Sequence, residues 1–215
     1  MININSDSTV IVLAPHTDDG EFGCGASISK FTSLGARVIY VAFSAAEQSV
    51  LKHLPKNILR TEVKEATKIL GILEDDCIVL DFQVRIFAEF RQKILDKMIE
   101  LNEKYQPDLV LLPSINDTHQ DHQTIAKEGF RAFKKTTMLA YELPWNNLEF
   151  KTVCFIEASE KNINKKIEAI KMYESQKHRV YSGEKFLRSW AITRGVQIGK
   201  EYAETFDVVR WVIND

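Results

Sequence analysis

The chain has 215 residues, and its 28 Lys and Arg against 30 Asp and Glu leave a formal charge of -2, so it carries no basic footprint for a nucleic-acid backbone or an acidic membrane. The length suits one domain, over 1–215, with a sizeable core. Three widely separated cysteines, Cys24, Cys77 and Cys154, exclude a disulfide framework and a thiolate zinc site, so any metal must rely on nitrogen and oxygen ligands.

In chain order, Thr9 to Leu13 is a continuous apolar, β-branched run of the kind that forms a buried parallel strand. A helix is expected over Gly25 to Leu34, stopped at Gly35, and a second strand over Val38 to Phe43. From Asn57 to Leu70 the apolar positions recur at helical spacing. Cys77 to Leu80 reads as a third strand, Phe90 to Tyr105 as a helix broken by Pro107, and Leu109 to Leu112 as a fourth strand ending at Pro113. Beyond it come a helix over Thr124 to Lys135, strands over Met138 to Leu143 and Val153 to Glu157, and helical character over Lys165 to Tyr173 and Phe186 to Gly199. The pattern closes with a strand over Val208 to Ile213. Strands alternating with helices predict an α/β, Rossmann-like three-layer fold, with a mainly parallel central sheet covered by helices on both faces.

Two polar segments interrupt this pattern, each just after a predicted strand: Pro15-His16-Thr17-Asp18-Asp19-Gly20-Glu21 and Asp117-Thr118-His119-Gln120-Asp121-His122. Sites in parallel sheets form beyond the carboxyl ends of the strands, so the two are expected to meet in one cleft if their strands lie close. Catalytic Zn²⁺ is commonly held by three nitrogen or oxygen ligands with one position left open, and His16, Asp19 and His122 make such a set. The three-residue separation of His16 and Asp19 lets both face one way if the loop has begun to coil. Asp18 then points elsewhere and is the candidate general base beside water whose pKa the metal lowers toward ~7. His119 is a candidate proton donor or oxyanion stabiliser, with Asp121 to hold its imidazole. The rival reading of Asp18 or Asp19 is a solvated turn or a helix N-cap. Cys24, with Gly23 and Gly25, is read as packing, and His53 and His178 as surface residues.

The first segment, continued through Phe22-Gly23-Cys24-Gly25, resembles the His-Pro-Asp-Asp-Glu signature of the PIG-L/LmbE-like N-acetylglucosaminyl deacetylases, and the second is similar to their Asp-x-His-x-Asp-His signature. Arg60, Glu62, Ala66, Leu70 and Gly71 resemble the family's Arg-x-Glu helix. Tyr173-Glu174-Ser175-Gln176 and the stretch from Arg194-Gly195 to Phe206 resemble its C-terminal segments. Thr17 in place of proline and Gly20 before Glu21 depart from the pattern, and Asp81 to Arg85 lacks the family's Pro-Asp-Gly-like turn. The resemblance implies Zn²⁺ on His16, Asp19 and His122, Asp18 as base, and His119 assisted by Asp121 as acid or oxyanion stabiliser. It implies removal of the acetyl group from an N-acetylated sugar conjugate. Fe²⁺ or another divalent ion suits the same ligands.

For the substrate, Arg60 and Arg85 are candidates to bind hydroxyls or a phosphate and Trp145 to stack on a sugar ring. The competing reading pairs Arg60 with Glu62 or Glu65 on its own helix and places Trp145 against the core or a second copy of the chain. Two rival functions fit the same residues. A mononuclear Fe(II) oxygenase uses the same kind of triad, but on an all-β fold rather than an alternating one, and a non-catalytic metal-stabilised or sugar-binding protein leaves Asp18, His119 and Asp121 idle. Met1 to Ser8 lacks the basic and apolar regions of a signal peptide, and no apolar stretch approaches a membrane span. A cytoplasmic protein without membrane insertion is expected, its homo-oligomeric state left open.

Overall fold

A computed structural model of the chain describes residues 4–213, so Met1 to Asn3 of the N-terminal segment and Asn214–Asp215 lie outside the described residues. Among the described residues, seven strands form one sheet in the order β3-β2-β1-β4-β5-β7-β6. They are β1 (Thr9–His16), β2 (Arg37–Ser44), β3 (Cys77–Val79), β4 (Leu109–Pro113), β5 (Thr137–Tyr141), β6 (Cys154–Ala158) and β7 (Tyr202–Arg210). β3, β2, β1, β4 and β5 are mutually parallel, while β7 runs antiparallel to both β5 and β6. Among the described residues the α-helices are α1 (Asp19–Ser33), α2 (Ile58–Ile69), α3 (Arg91–Tyr105), α4 (Gln120–Ala132), α5 (Glu160–Lys171) and α6 (Glu184–Val196).

Alternation along β1 builds two cores. Val10, Val12 and Ala14 pack with α1, α2, α5 and α6 on one face, and Ile11 and Leu13 pack with α3 and α4 on the other. A strand buried on both faces must be apolar throughout, which is why β1 carries no polar alternation. α1 leaves β1 on the first face and α4 follows β4 on the second. The sheet therefore switches direction between these neighbouring strands, and a crevice opens beyond their carboxyl ends.

Three helices begin earlier than apolar periodicity indicates. α1 starts at Asp19 rather than Gly25, α4 at Gln120 rather than Thr124, and α5 at Glu160 rather than Lys165. Their first turns are polar. In α5 the reason is a capping box, in which Ser159 Oγ accepts from the Asn162 amide and the Asn162 side chain accepts from the Ser159 amide. The closing strand is also corrected, from 208–213 to Tyr202–Arg210. Glu204 hides its first half: this carboxylate is buried in the strand, where it receives Lys166 Nζ at 2.6 Å and Ser27 Oγ at 2.7 Å, so the stretch does not read as apolar.

The first turns of α1 lie hard against the sheet. A Cβ at Gly20 would stand 2.5 Å from the Tyr40 ring, and one at Gly23 would stand 2.3 Å from the Tyr141 ring. Gly20, a departure from the usual signature, is therefore the residue that lets Tyr40 sit under the motif. Among the described residues, no helix is long and apolar enough to cross a membrane.

Candidate metal centre and its cleft

His16 is the last residue of β1, and Asp117 to His122 leads from β4 into α4. Because β1 and β4 are hydrogen-bonded neighbours, the two polar segments meet. Asp19 Oδ2 lies 3.2 Å from His16 Nδ1 and 3.2 Å from His122 Nε2, and those two nitrogens are 3.4 Å apart. A tetrahedral ion with bonds of about 2.0–2.1 Å requires its ligand atoms to stand roughly 3.3–3.4 Å from one another. The three atoms form nearly that triangle without rearrangement. His119 brings a ring nitrogen within 4.8 Å of His16 and His122 as well, yet Asp19 is the closer third member.

The remaining imidazole nitrogens are held by carboxylates. Asp121 Oδ2 lies 3.0 Å from His16 Nε2, and Asp117 Oδ2 lies 2.8 Å from His122 Nδ1. Each contact holds a proton on the nitrogen facing away from the triangle, so that the facing nitrogen is the one that offers its lone pair when a metal displaces its proton. Here the structure departs from expectation: the Asp121 carboxylate holds His16, not His119. Its two oxygens also accept from the Arg85 amide at 2.6 Å and the Phe87 amide at 3.2 Å. Asp117, given no role from sequence, orients His122 and accepts from the His119 amide at 2.8 Å. The signal for it was its place in the second motif, at the end of β4.

Three buried carboxylates, Asp19, Asp117 and Asp121, thus surround two imidazoles. Burial pushes the His16 imidazole down, but its bonds to Asp121 and Asp19 prevail and raise its pKa to about 9. For His122, burial is likewise outweighed by the Asp19 charge and the Asp117 hydrogen bond, and the pKa rises to about 10. Burial alone would raise the Asp19 carboxyl, yet the neighbouring imidazoles hold it well below the usual carboxylate range. A surplus of buried negative charge needs compensation, and a divalent cation in the triangle supplies it in place of the two protons.

Asp18 stands beside this triangle, partly exposed to the cleft, and its side chain makes no capping hydrogen bond to α1. Burial and the adjacent Asp19 charge raise its pKa to about 6. His119 is the N-cap of α4, its Nδ1 accepting from the Asp121 amide at 3.2 Å. Burial and the charges of His122 and His16 lower its pKa. A neutral His119 bonded in this way carries its proton on Nε2 and is a hydrogen-bond donor.

Beneath the motif, Glu21 is fully buried between two tyrosines, bonding Tyr40 Oη and Tyr173 Oη, the latter at 2.7 Å. Both phenols also reach the Thr17 carbonyl, at 2.9 and 2.7 Å. They hold the peptide between His16 and Asp18 from below. Burial raises the Glu21 pKa to about 8, so the acid keeps its proton near neutrality and completes the chain of bonds. The segment around Tyr173, assigned no chemistry from sequence, is the support of the first motif.

The cleft over the centre has a volume of about 350 Å³. Arg85 and Trp145 line it; Arg60 does not, although its neighbour Leu59 does. The Arg60 guanidinium bonds Glu47 Oε1 at 2.7 Å and Asp81, not Glu62 or Glu65. Glu62 instead accepts from the Ser175 amide at 3.1 Å and from Ser175 Oγ at 2.6 Å. Trp145 is stacked on Tyr181 at 3.9 Å between ring centroids, with the edge of Phe22 against it at 5.4 Å. Ser175, Gln176, His178, Arg179 and Tyr181 form one wall that sequence reasoning missed. His178 is exposed, as expected, but it faces this cleft, whereas His53 is exposed elsewhere.

Comparison with known proteins gives a match to the family described as PIG-L, GlcNAc-PI de-N-acetylase, over residues 11–133. The diacetylchitobiose deacetylase of Thermococcus kodakarensis is 24% identical, over 93% of this chain and 82% of that protein. Among solved structures, N,N'-diacetylchitobiose deacetylase from Pyrococcus horikoshii in complex with its inhibitor MPG superposes with a TM-score of 0.78 at 22% identity, over 94% of this chain and 84% of that one. GalB, the 4-carboxy-2-hydroxymuconate hydratase of Pseudomonas putida KT2440, superposes with a TM-score of 0.75 at 19% identity, over 97% and 98%. The fold therefore serves both a deacetylase and a hydratase, and the choice of reaction rests on the site.

Proposed function

The chain belongs to the PIG-L family, and from that premise we propose that it is a metal-dependent hydrolase that removes the acetyl group from an N-acetyl amino-sugar conjugate, giving acetate and a free amine. The observation that carries this reading is the near-tetrahedral triangle of His16 Nδ1, Asp19 Oδ2 and His122 Nε2, with one carboxylate, Asp18, left over beside it. Zn²⁺ is the proposed ion, and Fe²⁺ suits the same donors. When bound, the ion lowers the pKa of water and polarises the amide carbonyl.

The other steps fall to side chains. Asp18 takes a proton from the attacking water as the new C–O bond forms at the acetyl carbon. His119, neutral and protonated on Nε2, donates a hydrogen bond to the developing oxyanion. The C–N bond then breaks, and the proton held by Asp18 passes to the departing amine. Asp121 and Asp117 keep His16 and His122 in their metal-binding tautomers, so Asp121 acts through His16. Arg60, fixed by Glu47 and Asp81 beside the cleft, and Arg85 on its wall are proposed contacts to substrate hydroxyls or a phosphate, and Trp145 on the same walls is proposed to stack on a sugar ring. The alternating α/β fold supports this reading over the rival Fe(II) oxygenase, whose triad is expected on an all-β fold.

The test is acetate release from N-acetylglucosamine and N,N'-diacetylchitobiose by protein loaded with Zn²⁺ or Fe²⁺, its metal content measured in parallel. Acetate and free amine in equal amounts, lost in Asp18→Asn while the metal stays bound, are expected. Fully loaded protein that releases no acetate from any N-acetylated sugar would refute the proposal.

A further inference from the structure

Helix α1 is interrupted at Cys24, whose backbone (φ -145°, ψ 23°) is not helical. The break divides it into a first turn, Asp19 to Gly23, that carries the motif, and a regular helix from Gly25 to Ser33. A helix that starts afresh needs acceptors for its first amides, and the residue before it normally supplies one from its side chain to the second or third residue. Cys24 holds that position, but its thiol is directed to the Gly20 carbonyl at 3.2 Å. The acceptor comes instead from another strand. Glu204 of β7 takes the Ala26 amide on Oε1 at 3.1 Å, and on Oε2 the Ser27 amide and Ser27 Oγ, both at 2.7 Å.

Topology brings this carboxylate to the motif. β7 runs antiparallel to β5 with Phe206 opposite Tyr141, the last residue of β5, so Glu204 lies at the end of the sheet where the cleft opens. Lys166 of α5 meets it at 2.6 Å and lies 4.7 Å from the centre of the Trp190 ring. Both charged side chains are buried. A buried ion pair is often no more stabilising than an apolar pair of the same volume, so its place at this break points to a geometric role. With the Ala26 and Ser27 amides satisfied from β7, the first turn need not continue the helix axis. Gly20 and Gly23 let it drop onto the rings of Tyr40 and Tyr141, where Asp19 Oδ2 accepts from the His16 amide at 2.8 Å.

We propose that Glu204 is a positioning residue for the metal centre: by capping the second part of α1 from β7, it fixes the break at Cys24 and with it the direction from which Asp18 and Asp19 reach the triangle. It does not line the cleft and acts through the backbone of α1. This rests on the metal-dependent reading of the same site and adds to it a residue that belongs to neither polar segment.

The test separates the cap from the ion pair. Lys166→Met leaves the carboxylate on the Ala26 and Ser27 amides, whereas Glu204→Gln combined with Lys166→Met removes the cap without stranding a buried charge. Glutamine offers one oxygen where the carboxylate offers two. Each protein is loaded with Co²⁺, whose visible absorption reports ligand geometry, and Co²⁺ affinity is measured by competition with a chelator. Lys166→Met should lower the thermal midpoint and keep the wild-type spectrum and affinity. The double variant should alter the spectrum, weaken Co²⁺ binding by about tenfold or more and lower kcat for acetate release by about 10²-fold. Wild-type spectrum and affinity in the double variant would overturn the positioning role, and so would an equal change in Lys166→Met, which traces the effect to the ion pair. Where the double variant does not fold, Glu204→Asp decides by the same two measurements, since it keeps the charge and withdraws the carboxylate by one methylene: an altered spectrum upholds the role and an unaltered one overturns it. If the wild-type protein binds Co²⁺ but releases no acetate, the deacetylase reading fails while spectrum and affinity still decide the role of Glu204. A wild-type protein that binds no Co²⁺ overturns both.

Discussion

The floor and the walls of the cleft are built differently. On the floor, Asp19, Asp117, Asp121 and His122 are buried, every imidazole nitrogen of His16 and His122 has a partner, and all sit at the ends of two adjacent strands. On the walls, Arg85, His178 and Arg179 are exposed and come from irregular segments far apart in sequence. Satisfied, buried polar groups are costly to disturb, whereas exposed ones vary at little cost to folding. The floor is thus suited to fix a reaction and the walls to choose a substrate.

The largest effects should follow from breaking the floor. His122→Ala removes one vertex of the triangle and leaves Asp117 without its partner, so metal content measured by elemental analysis should fall to background and activity with it. Asp18→Asn separates base from ligand. Metal content should stay at the wild-type level while kcat drops by about 10²–10⁴-fold, and a loss of metal instead would make Asp18 a ligand.

Asp121→Asn sharpens the comparison within the floor, because sequence and geometry give different accounts of it. The 3.0 Å contact to His16 Nε2 predicts a metal affinity lower by about 10–100-fold, measured by competition with a chelator. If Asp121 served His119 instead, affinity would hold and only kcat would fall. Asp121→Asn should also loosen the Arg85 turn, since the same carboxylate receives the Arg85 and Phe87 amides.

The same contrast explains what was legible in the sequence. Both floor motifs could be read because each packs its ligands into one turn after an apolar strand, and β1, β2 and β4 announced themselves as continuous apolar runs. The partnership of Asp121 with His16 was not legible, since it spans 105 residues and depends on which way the Asp121 side chain leaves the first turn of α4. Nor was the wall at Ser175 to Tyr181, whose short turns lack any periodicity. Glu21 was quoted in the motif but its burial between Tyr40 and Tyr173 was not visible, because the two tyrosines come from β2 and from beyond α5.

The smallest predicted effect tests whether a wall can be loosened without harming the floor. Ser175 Oγ donates to the buried Glu62 carboxylate at 2.6 Å, and the Ser175 amide supplies the second bond at 3.1 Å. Ser175→Ala keeps the amide bond and deletes the hydroxyl, leaving one oxygen of a buried carboxylate short of a donor at a cost of about 1–3 kcal/mol. Thermal denaturation should record a lower midpoint. Because the turn carries Gln176, His178, Arg179 and Tyr181 to the cleft but touches neither His16, Asp19 nor His122, KM should rise several-fold with kcat nearly kept and metal content unchanged. A fall in kcat as large as that of Asp18→Asn would instead mean that the wall sets the geometry of the reacting groups, and the division between floor and walls would fail.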